Sequence, residues 1–403
     1  MDIIVRKTYL SHIISHLNRG MMIILVGQRR VGKSFMLRQV RGWLEENRPD
    51  SSIVYVNKEL LDFSHITNAK ELYDYVSPKF DTGGDNYLLI DEVQDIDGYE
   101  NALRSLHAED RCQIIVTGSN AYVFSSELST RLGGRYVEIP IYGLSYSEFL
   151  EFHGLTDSDE SLNDYLRVGG LPGLRLYDIN DEIHVRDYLQ GVYNTIMMRD
   201  VIAREKIRNV PFIENLSHFI ADNDGKLIST SSIVKFMKSQ GDNVSESMTS
   251  AYIGYLCKAL IVNPVARYDI HGKKLFEQIY KYYFADHGLR NYLCGFNLRN
   301  SIEKIMENVV YLHLLARGYS VNVGILRAGE VDFVAVKGNK TIYVQVTYLL
   351  ASEETIDREF GNLAKIKDNY PKYVVSMDPI AGEFTGYPGI RHLRLREFLK
   401  EEI

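Results

Sequence analysis

Eight residues near the start of the chain, Gly27-Gln28-Arg29-Arg30-Val31-Gly32-Lys33-Ser34, follow the apolar run Met22–Val26 and precede the helical pattern Phe35–Val40. Strand, glycine-bounded loop and helix in that order, with GxxxxGKS at the turn, predict a phosphate cradle. Gly27 and Gly32 let the backbone turn back with its N–H groups inward, and a helix starting near Lys33 adds the positive end of its dipole. Lys33 is placed for the β- and γ-phosphates and Ser34 for Mg²⁺, with Gln28, Arg29, Arg30 and Val31 completing the loop. The expected ligand is a nucleoside triphosphate, ATP with Mg²⁺.

A chain of 403 residues has room for roughly two to four domains. Its 45% apolar and 25% charged content is that of a globular protein, and no apolar stretch is long enough to span a bilayer. The segment Met1–Lys7 lacks the apolar core of a secretory signal. Cys112, Cys257 and Cys294 are an odd, sparse set, which suggests a reducing compartment. Together these predict a cytoplasmic protein without membrane association. The net charge of −7 argues against nucleic-acid affinity over the whole surface and leaves a local basic patch open.

Hydrolysis needs a second, acidic element. Tyr87-Leu88-Leu89-Ile90-Asp91-Glu92 reads as a buried strand ending in two carboxylates. Asp91 is expected to hold the Mg²⁺ shell, and Glu92 to polarise the water that attacks the γ-phosphate. Further strand-like runs lie at 52–57, at 113–117 (ending in Gly118-Ser119-Asn120) and at 136–140. Arg131 and Arg135 follow the polar tip. One of them, preferably Arg135, is a candidate arginine finger toward its own or a neighbouring subunit's γ-phosphate, against the alternative of a surface arginine.

The GxxxxGKS loop, the IDE acidic pair and the TGSN tip resemble an AAA+-type P-loop ATPase. The resemblance implies a doubly wound parallel sheet with the ligand at the carboxyl ends of its strands. It also implies that Asn120 (or Ser119) is the polar sensor of the γ-phosphate. Beyond a helix start at Ser145-Tyr146-Ser147-Glu148 lies Gly169-Gly170-Leu171-Pro172-Gly173. This string is similar to the GxP motif of STAND-type ATPases, which makes Pro172 the adenine contact; on physical grounds alone it is a helix-breaking turn.

In the middle of the chain a short helix (231–237), a polar turn and a longer helix from Glu246 to Leu260 precede two strand-like runs around 269–274. That succession resembles a winged helix. Residues 212–284 hold eight Lys/Arg against seven Asp/Glu, and the longer helix has one lysine and one glutamate. DNA affinity rests on phosphate neutralisation, so a packing or regulatory module is the favoured reading.

The last segment reads as αβββαβ. It resembles the PD-(D/E)XK restriction-endonuclease-like fold, which needs a helix glutamate, a strand aspartate and E-x-K on the next strand. Glu307 and Asp332 match the first two positions, and the third reads Gln345-Val346-Thr347. An amide lacks the charge that a hard cation wants. Lys365 is a candidate replacement for the missing lysine, and a degenerate, inactive domain is favoured over a nuclease.

The expected organisation is therefore an α/β ATPase core (1–145), a helical lid (146–205), a winged-helix-like domain (206–290) and a small nuclease-like α/β domain (291–403). The whole order resembles prokaryotic STAND-like AAA-type ATPases with a nuclease-like tail. The favoured function is an ATP-hydrolysing switch whose nucleotide state repositions the later domains. The alternatives are an ATP-regulated, metal-dependent DNA nuclease and a ring-forming remodelling ATPase. The expected partners are ATP and ADP, with a homo-oligomer and a DNA or protein partner left open.

Overall fold

The computed structural model describes residues 4–81, 83–118, 132–327, 329–379, 382–383 and 386–401. It divides into two compact units, Met1–Tyr142 with Lys258–Leu260, and Gly143–Cys257 with Ile261–Ile403.

Among the described residues, the first unit has one sheet of five strands: β1 (Met22–Val26), β2 (Ser52–Asn57), β3 (Asn86–Asp91), β4 (Gln113–Gly118) and β5 (Tyr136–Pro140). Their order is β2-β3-β4-β1-β5 and every pairing is parallel. Every residue of β1 and β3 is buried, as expected of strands covered on both faces. The helix Lys33–Asn47 contributes Met36, Leu37, Val40 and Leu44 to the interior. Ile24, Val26, Val56, Leu88, Ile90 and Val116 share one apolar cluster of the sheet. Because the strands are parallel, the residues that follow β1, β3 and β4 emerge at the same edge, where strand order reverses and ligands of such sheets bind.

The second unit starts with helices. Tyr146–His153 is opened by a reciprocal cap between Ser145 and Glu148, as its sequence predicts. Helices Asp159–Val168, Glu182–Thr195, Val210–Asp222 and Thr230–Ser239 follow. Among the described residues its sheet has nine strands: β6 (Leu227–Ile228), β7 (Val262–Asp269), β8 (Lys274–Phe284), β9 (Ser320–Leu326), β10 (Gly329–Lys337), β11 (Lys340–Val346), β12 (Lys372–Ser376), β13 (Gly382–Glu383) and β14 (Ile390–Arg394). The order is β13-β14-β12-β11-β10-β9-β7-β8-β6.

The β7–β8 hairpin, expected as a wing, therefore shares one sheet with the strands expected in a tail domain. The junction is the parallel pair β7–β9, with Arg267 opposite Val323 and Asp269 opposite Ile325. Gly324 lies in this seam. A β-carbon there would come within 2.8 Å of both Ile270 and Val334, so only the missing side chain lets the apolar groups close over it. Among the described residues no helix is long and apolar enough to cross a membrane.

Candidate nucleotide site and a second acidic cluster

The phosphate loop is shaped by two glycines for different reasons. A β-carbon on Gly27 would sit 2.2 Å from the Ile141 carbonyl oxygen, because Ile141 hydrogen-bonds back to Val26 just beyond β5. Gly32 has φ +99°, the left-handed turn that launches helix Lys33–Asn47. Arg30 is also left-handed, at φ +69°. The buried Arg6 guanidinium braces the loop by donating to the carbonyls of Val31 at 3.3 Å and Tyr142 at 2.9 Å. Nothing in the sequence motif marks Arg6.

The Lys33 ammonium is folded into the loop and donates to the carbonyls of Gly27 at 2.8 Å and Gln28 at 3.0 Å. The Gln28 side-chain amide is buried, and neither of its polar atoms meets a hydrogen-bond partner among the described residues. Arg29 is half-buried, Val31 is buried and Arg30 is exposed.

Asp91, at the end of β3, is fully buried. Its Oδ1 accepts from the Ser34 hydroxyl at 3.1 Å and from the Thr117 hydroxyl at 2.6 Å, and its Oδ2 has no partner among the described residues. Burial pushes the carboxyl above its ordinary range and Glu92 adds to the rise; the Thr117 and Ser34 hydroxyls and Lys33 oppose it. A carboxylate oxygen beside a serine hydroxyl is the oxygen donor set that Mg²⁺ takes, so these residues fit the ion. Glu92 follows in the left-handed region, at φ +56° and ψ +55°, a costly conformation for a residue with a side chain. Its N–H donates to the Thr117 hydroxyl at 2.9 Å, and its carboxylate accepts from the Gln94 amide. Thr117 opens the TGSN tip, but the motif gives it no role of its own; a polar residue at the end of the apolar run 114–116 is the signal for it.

The structure brings together Gly27 to Ser34, Asp91 and Glu92. It does not bring Arg135 to them. The Arg135 carbonyl accepts from the N–H of Met22 at the amino end of β1, and the five residues of β1 put roughly 16 Å between it and the loop. That exceeds the reach of an arginine side chain and rules out contact with its own subunit's γ-phosphate. Ser119, Asn120 and Arg131 lie outside the described residues.

Pro172 belongs to the second unit, at the start of a short 3-10 helix, Pro172–Leu176. The glycines beside it have packing roles. A β-carbon on Gly170 would meet the Leu144 carbonyl at 2.7 Å, and one on Gly173 the Tyr188 hydroxyl at 2.2 Å.

Glu307, Asp332 and Gln345 also meet in the second unit, around an ammonium group. Lys281 Nζ, from β8, lies 2.8 Å from Glu307 Oε1, 2.7 Å from Glu330 Oε1 and 3.4 Å from Asp332 Oδ1. The Tyr283 hydroxyl donates to the same Glu307 oxygen. Asp332 Oδ2 accepts from the Val346 N–H at 2.8 Å, and Gln345 Oε1 from the Asp332 N–H at 3.3 Å. Burial raises the Glu307 carboxyl, Lys281 opposes the rise and Asp332 adds to it. Burial would lower the Lys281 ammonium, but Glu307, Asp332 and Glu330 outweigh it and hold it charged.

A metal ion does not fit this cluster, because the lysine already engages the oxygens that would bind one. Among the described residues no group of three or more His, Cys, Asp or Glu is arranged to hold a metal. Lys365, the expected replacement lysine, is exposed and donates to Asn362 at 3.0 Å instead. The sequence signal missed for Lys281 is a single charge inside the aromatic run Tyr280–Phe284.

The AAA domain family matches residues 19–150, and a domain of unknown function, DUF8612, matches 159–300. An uncharacterized protein of Haemophilus influenzae is 33% identical over 377 residues, covering 92% of each chain. One of Methanocaldococcus jannaschii is 28% identical over 364 residues, 86% of this chain and 78% of that one. Among solved structures, a Walker-type ATPase of Pyrococcus abyssi is similar in fold, with a TM-score of 0.53 at 17% identity over 73% of this chain and 96% of that one. By the identity and extent of the Haemophilus influenzae match the chain belongs to that protein's family, and with its phosphate loop and acidic strand end it is a P-loop ATPase of the AAA type.

Proposed function

We propose that the chain is an ATP-driven switch: ATP binding and slow hydrolysis in the first unit set the state of the second, which serves in docking or regulation. The observation that carries the hydrolytic part is the Ser34–Asp91–Thr117–Glu92 arrangement. Lys33 exchanges the carbonyls of Gly27 and Gln28 for the β- and γ-phosphates, which are stronger acceptors. Ser34 and Asp91 hold Mg²⁺, which supplies neutralising charge to those phosphates. Glu92, fixed by its backbone bond to Thr117, orients the attacking water and takes its proton. Pro172 is kept as the adenine contact, and Asn120 as the sensor, on resemblance alone.

Lys281 within the second acidic cluster counts against the nuclease reading. The nearly balanced charge of residues 212–284 counts against tight DNA binding through the middle of the chain.

The test measures ATP binding and turnover in two variants. Lys33→Ala abolishes binding, whereas Glu92→Gln keeps binding and slows turnover by roughly 10²- to 10⁴-fold, the usual scale for a positioned base. Turnover by Glu92→Gln at the parent rate sinks the assignment of Glu92. Limited proteolysis with ADP and with a non-hydrolysable ATP analogue checks the switch, which fails if the second unit gives the same fragments at the same rates in both.

A further inference from the structure

We propose that the Lys281 ammonium permanently takes the place of a divalent cation at the Glu307–Glu330–Asp332 cluster, closing that centre to metal. The inference stands on the second unit alone and involves no nucleotide.

Three carboxylates from two elements, helix Ile302–Ala316 and strand β10, turn one oxygen each to Nζ at 2.7 to 3.4 Å. An ammonium has three N–H donors, so three carboxylate acceptors use all of them. Other polar atoms nearby are engaged by the protein. Asp332 Oδ2 holds the Val346 N–H, Gln345 Oε1 holds the Asp332 N–H, and Glu307 Oε1 also receives the Tyr283 hydroxyl. Glu359, another buried carboxylate at the cluster, pairs with Arg358 at 2.6 Å.

A hard divalent cation needs about six oxygen donors with open lone pairs. To enter, it must expel an ammonium that is 4% exposed. A buried, unpaired ammonium is strongly unfavourable, so binding the metal would incur the cost of stranding the lysine. The backbone that carries Lys281 is held in place, because β8 is paired on both sides, to β6 and β7. The cluster thus gathers three carboxylates around a cation that the chain itself carries. It follows that the second unit performs no metal-dependent cleavage of phosphodiesters at this place.

The full chain, free of nucleotide, is titrated with Mn²⁺; free Mn²⁺ is read by electron paramagnetic resonance and unfolding by circular dichroism. The wild type and Asp332→Asn should give the same isotherm. Lys281→Met should gain about one bound Mn²⁺ per chain, with a melting temperature that rises as Mn²⁺ is added, since a ligand bound only to the folded state stabilises it. Lys281→Met/Asp332→Asn should lose both effects. Folding of Lys281→Met only in the presence of Mn²⁺ would equally support the substitution. Wild-type Mn²⁺ binding that falls in Asp332→Asn overturns the proposal, and so does a folded Lys281→Met that gains none. The wild-type arm decides even where Lys281→Met fails to fold.

Discussion

The hydroxyl of Thr117 joins the two acids at the tip of β3: it donates to Asp91 Oδ1 at 2.6 Å and accepts the backbone N–H of Glu92 at 2.9 Å. One side chain on β4 therefore sets both the carboxylate proposed to hold Mg²⁺ and the strained backbone of the residue proposed to orient the water. Thr117→Val keeps the shape and removes both bonds. A buried hydrogen bond to a charged group is worth about 1.5–3 kcal/mol, so turnover should fall by roughly 10- to 100-fold with little change in nucleotide affinity, while Thr117→Ser should restore most of it. Steady-state kinetics beside equilibrium binding checks this, and a loss confined to affinity would contradict it.

Gly27 is required by space. Gly27→Ala places a methyl 2.2 Å from the Ile141 oxygen, so the loop or the segment after β5 must move. Overpacking of this kind costs about 1–3 kcal/mol, and the displaced loop should bind ATP more weakly. Thermal unfolding and a binding titration read the two effects separately; an unchanged melting temperature would show that the seam yields freely.

Asp224 predicts a pH dependence of the second unit. Burial pushes its carboxyl up to about 8, against partial relief from Arg290. The folded chain thus keeps a proton that the unfolded chain releases near its ordinary value of 3.8. The stabilisation is complete below that value and is lost as the pH rises toward about 8. Asp224→Asn retains an oxygen for the Phe284 N–H and removes the titration. Its melting temperature should vary less than that of the wild type between pH 5 and 8; parallel curves would place the proton elsewhere.

Arg135, exposed at the amino end of the first sheet, can meet a γ-phosphate only in another subunit. Arg135→Ala should slow turnover at protein concentrations where the chain assembles with a non-hydrolysable ATP analogue, and not in dilute monomer. Light scattering and ATPase assays over a dilution series test this. Slowing in the monomer would contradict the distance along β1.

Local signals carried well where a short stretch of chain settles its own structure. The strand–loop–helix at 22–47, the acidic end of β3, the Ser145–Glu148 cap and the tight turn between Lys337 and Lys340 all lie where their residues place them. Each depends on contacts within a few positions, or on a run apolar enough to be buried whatever lies beside it. The same reading could not tell Lys281 from Lys365, since both are single lysines, one in a strand and one just past a helix.

By itself the sequence determined the strand–loop–helix of the phosphate loop and the buried strand that ends in Asp91 and Glu92, because spacing and periodicity decide those locally, whereas the pairing of Glu307 with Asp332 comes only from the resemblance. Tertiary structure alone decided that β7 lies along β9, that Thr117 links the two acids, that Arg6 braces Val31, and that an ammonium from β8 sits among the carboxylates. Those relationships span from 25 to more than 50 residues of chain. They arise from strand pairing and burial, which no local pattern encodes.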